Sequence, residues 1–211
     1  MPATNLSEWD ARHRSAANGT AAEPASFVLE LLPLLPHGPA LDLACGTGRH
    51  TLLLAARHQH VTAVDGSAVA LDIIEERARA SHQSARRAKS LAKSLEGIVA
   101  SRSGIDLVHA DLEQTKLPHN SFALILCVQY LQRSLFAQIE RALIPGGMVL
   151  FETYTRAQLE FAGGPRNSDY LLHPGELRSA FPSMRLLFYR ELRAGKGIAS
   201  LIAQKPFLPH E

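Results

Sequence analysis

Leu41-Asp42-Leu43-Ala44-Cys45-Gly46-Thr47-Gly48-Arg49-His50-Thr51 decides how the rest of this chain is read. Residues 40–45 are an apolar run ending in small side chains, residues 46–48 bring two glycines, and residues 49–57 carry Leu52, Leu53, Ala55 and Ala56. The reading is a strand, a tight turn and a helix. Glycine has no Cβ, so Gly46 and Gly48 let the chain bend sharply and let a ligand approach closely. Gly-x-Gly alone is weak evidence, because many strand-to-helix turns close on glycine for turn geometry only.

Working outward, residues 60–65 are a β-branched run ending in Asp65 and Gly66, and Ser67 can cap the helix that follows through residue 80. Residues 105–111 read as a third strand ending in Asp111, and residues 122–128 as a fourth. A helix over 134–143 is stopped by Pro145-Gly146-Gly147, and a fifth strand covers 148–154. A short helix over 176–181 precedes two late strands, 185–192 and 198–204, joined too briefly for a helical crossover, so they must pair antiparallel. Upstream, residues 27–35 read as a helix stopped by Pro33 and Pro36. Strands alternating with helices specify an α/β fold. The expectation is a Rossmann-like, doubly wound, seven-stranded sheet, mostly parallel with an antiparallel last strand.

At 211 residues, 46% apolar and 20% charged, the chain is expected to fold as one domain over 1–211. Residues 1–36 are read as an N-terminal helical flap or lid. No apolar run reaches the roughly 20 residues of a membrane helix. The opening residues have neither the basic nor the apolar region of a secretory signal, and Cys45 and Cys127 make no disulfide framework, so the expected location is cytoplasmic. Both cysteines are read as packing residues, close to one another if their strands are neighbours. The ten histidines are scattered, and no metal site is expected.

Net charge is +2, but residues 77–103 hold seven basic residues against Glu96, a local +6 on a body that sums to −4. Asp111 follows Asp65 by 46 positions, more than a helical crossover needs. The surplus, 81–103, has Ala88, Leu91, Leu95 and Ile98 at helical spacing with Arg86, Lys89 and Lys93 on another face, and reads as a basic helical insertion packed on the body. A subunit, RNA or acidic-membrane contact is the sharper alternative. No aromatic side chain lies among those basic residues, which counts against single-strand binding.

Glycines and acids at the ends of three successive strands point to a ligand at the carboxyl edge of the sheet. Asp65 can accept hydrogen bonds from two ribose hydroxyls, and Asp111 can meet a base amino group. A nicotinamide dinucleotide motif needs a third glycine where Thr51 stands, and no Gly-Lys-Ser or Gly-Lys-Thr phosphate loop exists.

With these residues in view, the chain resembles the class I S-adenosylmethionine-dependent methyltransferases. Residues 41–50 are similar to that family's first motif, 61–65 to the second, 109–112 to the third, and 143–147 to the turn before its fifth strand. Ala44 stands where the commoner form has glycine. The resemblance implies S-adenosylmethionine as cofactor, with S-adenosylhomocysteine as product. It implies that Asp42 orients the methionine amino group and that Ala44, Cys45, Gly46 and Gly48 line the cofactor. Asp65 would bind the ribose with Gly66 and Ser67 adjoining, Asp111 and Leu112 would flank adenine, and Cys127, Val128 and Gln129 would border the methyl side. Cys127-Val128-Gln129-Tyr130 replaces the Asn-Pro-Pro-Tyr of amino-methylating branches.

Residues 151–155, 163–167 and 170–177, with Trp9-Asp10-Ala11-Arg12, are similar to the tellurite-resistance TehB-like branch, which implies a small soft or anionic acceptor such as a thiol or chalcogen oxyanion. The catalytic candidates are Tyr130, Tyr154 and Arg166. The acceptor-binding candidates are Arg12, Trp9, Asn167 and His173, with Trp9 a pocket lid or a core anchor. A methyltransferase acting on RNA or another macromolecule, and a non-catalytic cofactor-binding module, stand as alternatives. Monomer and homodimer are both open.

Overall fold

The computed structural model describes residues 3–17, 22–57, 59–88 and 104–207. Helix α1 (Ala3–Ala17) and the short α2 (Ser26–Leu31) lead into β1 (Ala40–Leu43). Then follow α3 (Arg49–Ala56), β2 (His60–Asp65), α4 (Ala68–Ala80), β3 (Ala85–Arg87) and β4 (Gly104–His109). The second half holds β5 (Phe122–Val128), α5 (Phe136–Ala142), β6 (Leu143–Tyr154), α6 (Glu176–Ser179), β7 (Arg185–Arg193) and β8 (Gly197–Gln204). The strands form one sheet in the order β3-β4-β2-β1-β5-β6-β8-β7.

All pairs from β3 to β6 are parallel; β8 runs antiparallel to both β6 and β7. The strand order switches direction between β1 and β5, whose registers bring Leu43 beside Val64 on one side and Cys127 on the other. Every residue of β5 is buried, as expected of a central parallel strand covered on both faces. On one face Leu41, Leu43, Ile125 and Phe151 pack against Ile139 of α5 and Phe181. On the other, Leu124, Leu126 and Leu150 meet Phe27 and Val28 of α2 and Leu54 of α3. Asp42 lies between Leu41 and Leu43 in β1 and so projects to the α3 face.

Two expectations are corrected. The sheet has eight strands rather than seven, and the start of the segment read as a basic helix is the edge strand β3, with Ala85 beside Ile105 of β4. The cause is Asp106, fully buried inside β4: Arg86 donates to both its oxygens, and His60 Nε2 lies 3.0 Å from Oδ2. A buried carboxylate requires partners, and an extended 85–87 supplies the cation; helical spacing over residues 88–98 carried no signal of that acid. Residues 89–103 lie outside the described residues, and so does the rest of that expected helix. Helix α5 also stops at Ala142, and β6 runs through the Pro145-Gly146-Gly147 stretch, with a register shift against β5.

Asp106→Ala is expected to lower unfolding stability by about 1–3 kcal/mol, chiefly the cost of leaving the buried His60 ring without its acid. Urea denaturation measures it, and a change under about 0.5 kcal/mol would refute the account. Among the described residues no helix is long and apolar enough to cross a membrane.

Candidate functional site

The glycine turn leaves β1 through three left-handed residues: Ala44 (φ 53°), Gly46 (φ 54°) and Gly48 (φ 84°). Ala44 therefore carries the strain that glycine avoids. The turn is laced to β2, with Cys45 N donating to the Val64 carbonyl at 3.1 Å. From α4, Arg77 Nη1 donates to the Thr47 carbonyl at 2.9 Å, and Ile74 fills the space beside Gly48.

Asp65, the last residue of β2, closes this cradle. Its Oδ2 accepts from Gly46 N and its Oδ1 from Ser67 N, both at 2.8 Å. Ser67 caps α4 by accepting from Ala70 N at 3.1 Å. One carboxylate thus fixes two turns from two neighbouring strands. Asp42 is 2% exposed and accepts a 2.6 Å bond from Thr51 Oγ1 on α3. Burial raises its carboxyl to about 7, with the nearby Asp65 pushing the same way and the Thr51 bond and Arg49 opposing.

Gln129 follows β5 in a left-handed conformation (φ 61°), its N–H donating to the Glu152 carbonyl at 2.7 Å and its Oε1 accepting from Arg49 Nη2 at 2.9 Å. Arg49 thereby spans from the start of α3 to the end of β5. Cys127 is fully buried and its thiol is pushed far up, chiefly by burial and then by Asp42. It packs in the core on one face, whereas Cys45 belongs to the cluster with Leu71 and Ile74, so the two cysteines join different packing groups. Burial also pushes the Tyr130 phenol well above its ordinary value, helped by Cys127, Asp111, Asp65 and Tyr170; its hydroxyl donates to Gln132 Oε1 at 2.6 Å. Asp111 stands beyond β4, where its oxygens accept from Glu113 N (2.9 Å) and Gln114 Nε2 (3.0 Å), and the adjoining Leu112 is buried.

Other candidates lie in their own loop. Arg166 donates to the Leu159 and Phe161 carbonyls at 3.0 and 2.6 Å, Asn167 Oδ1 caps a turn by accepting from Asp169 N, and exposed His173 donates its N–H to Glu176 Oε2 at 2.8 Å. Arg133 fastens this loop with two bonds to Glu176 and two to the carbonyls of Asp169 and Leu171. Tyr154 ends β6 half-buried, its carbonyl accepting from Leu172 N. Arg12 is exposed and lies over the half-buried Trp9 ring at 4.9 Å.

The sequence reading missed Arg49 and His13. An arginine after the second glycine carried a usable signal, since it begins the helix at the ligand edge. Nothing in the sequence marked His13. The buried His50 is a support: it accepts from Ala25 N at 3.1 Å and holds the start of α2, and burial lowers its ring to about 3, so it stays neutral.

The fold is of the open doubly wound α/β class, in which ligands sit at the carboxyl ends of the strands where the order switches direction, and the glycine turn and Asp65 stand at that edge. A family model described as a methyltransferase domain matches residues 41–151, and the chain belongs to that methyltransferase family. It is 30% identical over 145 residues to the malonyl-[acyl-carrier protein] O-methyltransferase of Herminiimonas arsenicoxydans; the match takes in 68% of this chain and 48% of that protein, so the chain spans about half the length of this curated relative. Among solved structures, TehB from Haemophilus influenzae is similar with a TM-score of 0.67 at 16% identity, covering 93% of this chain and 67% of that one. A SAM-dependent methyltransferase from Aquifex aeolicus gives 0.62 at 15%, covering 92% and 97%. At such identities these structures speak for the fold.

Proposed function

We propose that this chain is an S-adenosylmethionine-dependent methyltransferase acting on a small-molecule acceptor. The observation that carries the reading is the Asp65 carboxylate bonded at once to the Gly46 and Ser67 amides, beside the buried Asp42. These residues fit the cofactor. Gly46 leaves unfilled the space a Cβ would take, and Asp42 is a buried acid suited to an ammonium group. Asp65, with Gly66 and Ser67, would hold the ribose, and Asp111 and Leu112 the adenine. Cys127, Val128 and Gln129 would border the methyl side, and Arg49, already extended to Gln129, would meet the cofactor's carboxylate. The bound cofactor supplies an electrophilic methyl on a sulfonium. The chain supplies alignment, which is the larger part of catalysis for such a displacement.

Tyr130, protonated at neutral pH, would orient the acceptor through its phenol rather than take a proton from it. A thiolate or chalcogen oxyanion suits this arrangement, since it needs little general-base help; the methyltransferases to which the chain is similar include one named for a malonyl substrate. The macromolecular alternative loses ground to ion pairing. Arg86 is bound to Asp106, Arg87 to Asp72 and Glu75, and Arg79 lies 3.7 Å from Glu75, so much of the described basic segment is answered within the chain. Calorimetry with S-adenosylhomocysteine followed by methyl-release assays over thiols, tellurite and small carboxylic acids tests the proposal. Cofactor binding without turnover would leave a binding module, and absence of binding would end the reading.

Cofactor affinity is expected to rise with pH up to about 7 and then level off, because only the Asp42 carboxylate attracts an ammonium. The sign for folding is opposite. The folded carboxyl holds its proton to a higher pH than the unfolded one, so this group's contribution to stability declines as pH rises above the unfolded value. Calorimetry of S-adenosylhomocysteine between pH 6 and 8 in buffers of differing ionisation heat would show proton release that Asp42→Asn removes. Equal pH profiles for the two proteins would refute it.

A further inference from the structure

Helix α1 lies along one side of the cradle. A Cβ built on Gly46 would meet one side chain from elsewhere in the chain, the His13 imidazole, with Cε1 at 3.7 Å. That is ordinary packing distance, on the face the glycine keeps bare. The position of His13 is set by the same turn that holds the ribose-binding acid. One helical turn earlier on α1, Asp10 accepts from Ser67 Oγ at 2.5 Å, while Ser67 N donates to Asp65. Helix α1 packs along α4, and Trp9 stacks on the His13 ring at 5.8 Å between centroids. Asp65 and Asp10 both act on the imidazole electrostatically, and burial outweighs them to lower its affinity for a proton. Trp9 thus stands between the His13 ring and the exposed Arg12, whose guanidinium lies 4.9 Å over its face.

We propose that His13 is a cofactor-contacting residue of the methyl-transfer site, forming with Gly46 and Asp65 one continuous wall against which the nucleoside end of S-adenosylmethionine lies, with the Asp10–Ser67 bond holding that wall in place. The inference rests on the cofactor reading: a ligand lying along the glycine turn meets the edge of this ring, which stands at packing distance from Gly46. Helix α1 is then part of the pocket itself.

The test uses the full chain and S-adenosylhomocysteine. His13→Ala is expected to weaken binding about tenfold while leaving the urea midpoint unchanged, and His13→Phe, which restores ring volume, is expected to recover most of the loss. An independent readout on the unsubstituted protein is an intermolecular nuclear Overhauser contact between the His13 Hε1 proton and the ribose protons of the bound nucleoside. His13→Ala binding within about twofold of the original, or no such contact, would overturn the proposal provided that Asp65→Ala loses binding. If Asp65→Ala also binds unchanged, the cofactor reading itself is what has failed.

Discussion

Asp65→Ala lowers affinity for S-adenosylhomocysteine by at least about 100-fold, or about 3 kcal/mol. The carboxylate is expected to accept from the ribose hydroxyls, and hydrogen bonds to a charged group are each worth about 1.5–3 kcal/mol. The same side chain already bonds Gly46 N and Ser67 N, so alanine also frees both turns that shape the cradle. Asp65→Asn keeps the shape and one acceptor oxygen but loses the charge, and is expected to fall between. Calorimetry gives the constants directly. Thermal unfolding gives a second view, because a saturating ligand raises the midpoint of the original protein and would barely move that of the alanine variant. An alanine variant within a few-fold of the original would mean that the ligand lies elsewhere.

Gly48→Ala lowers unfolding stability by about 2–5 kcal/mol, a large part of the roughly 5–15 kcal/mol a domain of this kind possesses. Two causes add. Gly48 has φ 84°, where an L side chain is strained, and a Cβ there would lie 2.6 Å from Cγ1 of Ile74. Gly163 separates these causes: its φ is 71° but nothing lies within 4 Å of its built Cβ, so Gly163→Ala is expected to cost only the strain, about 1–2 kcal/mol. In an Ile74→Ala background the Gly48 substitution should fall toward that same figure. Urea unfolding of the four proteins closes the cycle. Equal costs at Gly48 and Gly163 would show that packing on Ile74 contributes nothing.

The parallel order of the central strands, the antiparallel β7–β8 pair and the Ser67 cap could all be read from periodicity, glycine placement and connection length. Asp42 and Asp65 were legible for a further reason. Each interrupts or ends an apolar strand, and an acid inside a buried element needs a purpose. Asp106 carried the same signal inside β4, a need for a partner, but that Arg86, 20 residues away, answers it from an added strand is decided by the tertiary structure. Arg166 shows the opposite error. An arginine in a glycine-rich loop reads as an anion clamp, but its guanidinium is directed at two carbonyls of that loop, and sequence contains no record of which acceptor a flexible cation reaches.

The glycine turn, the acids that frame it and the alternation that builds the sheet are legible in the order of residues, because these follow from backbone sterics and from apolar residues at fixed short spacing. Which side chains meet across the cradle is a matter of packing at long range: His13 over Gly46, Arg49 reaching Gln129, Asp10 tied to Ser67. Those pairs are 33, 80 and 57 positions apart. Their approach depends on how whole helices dock on the sheet, a sum of many weak contacts that no local pattern encodes.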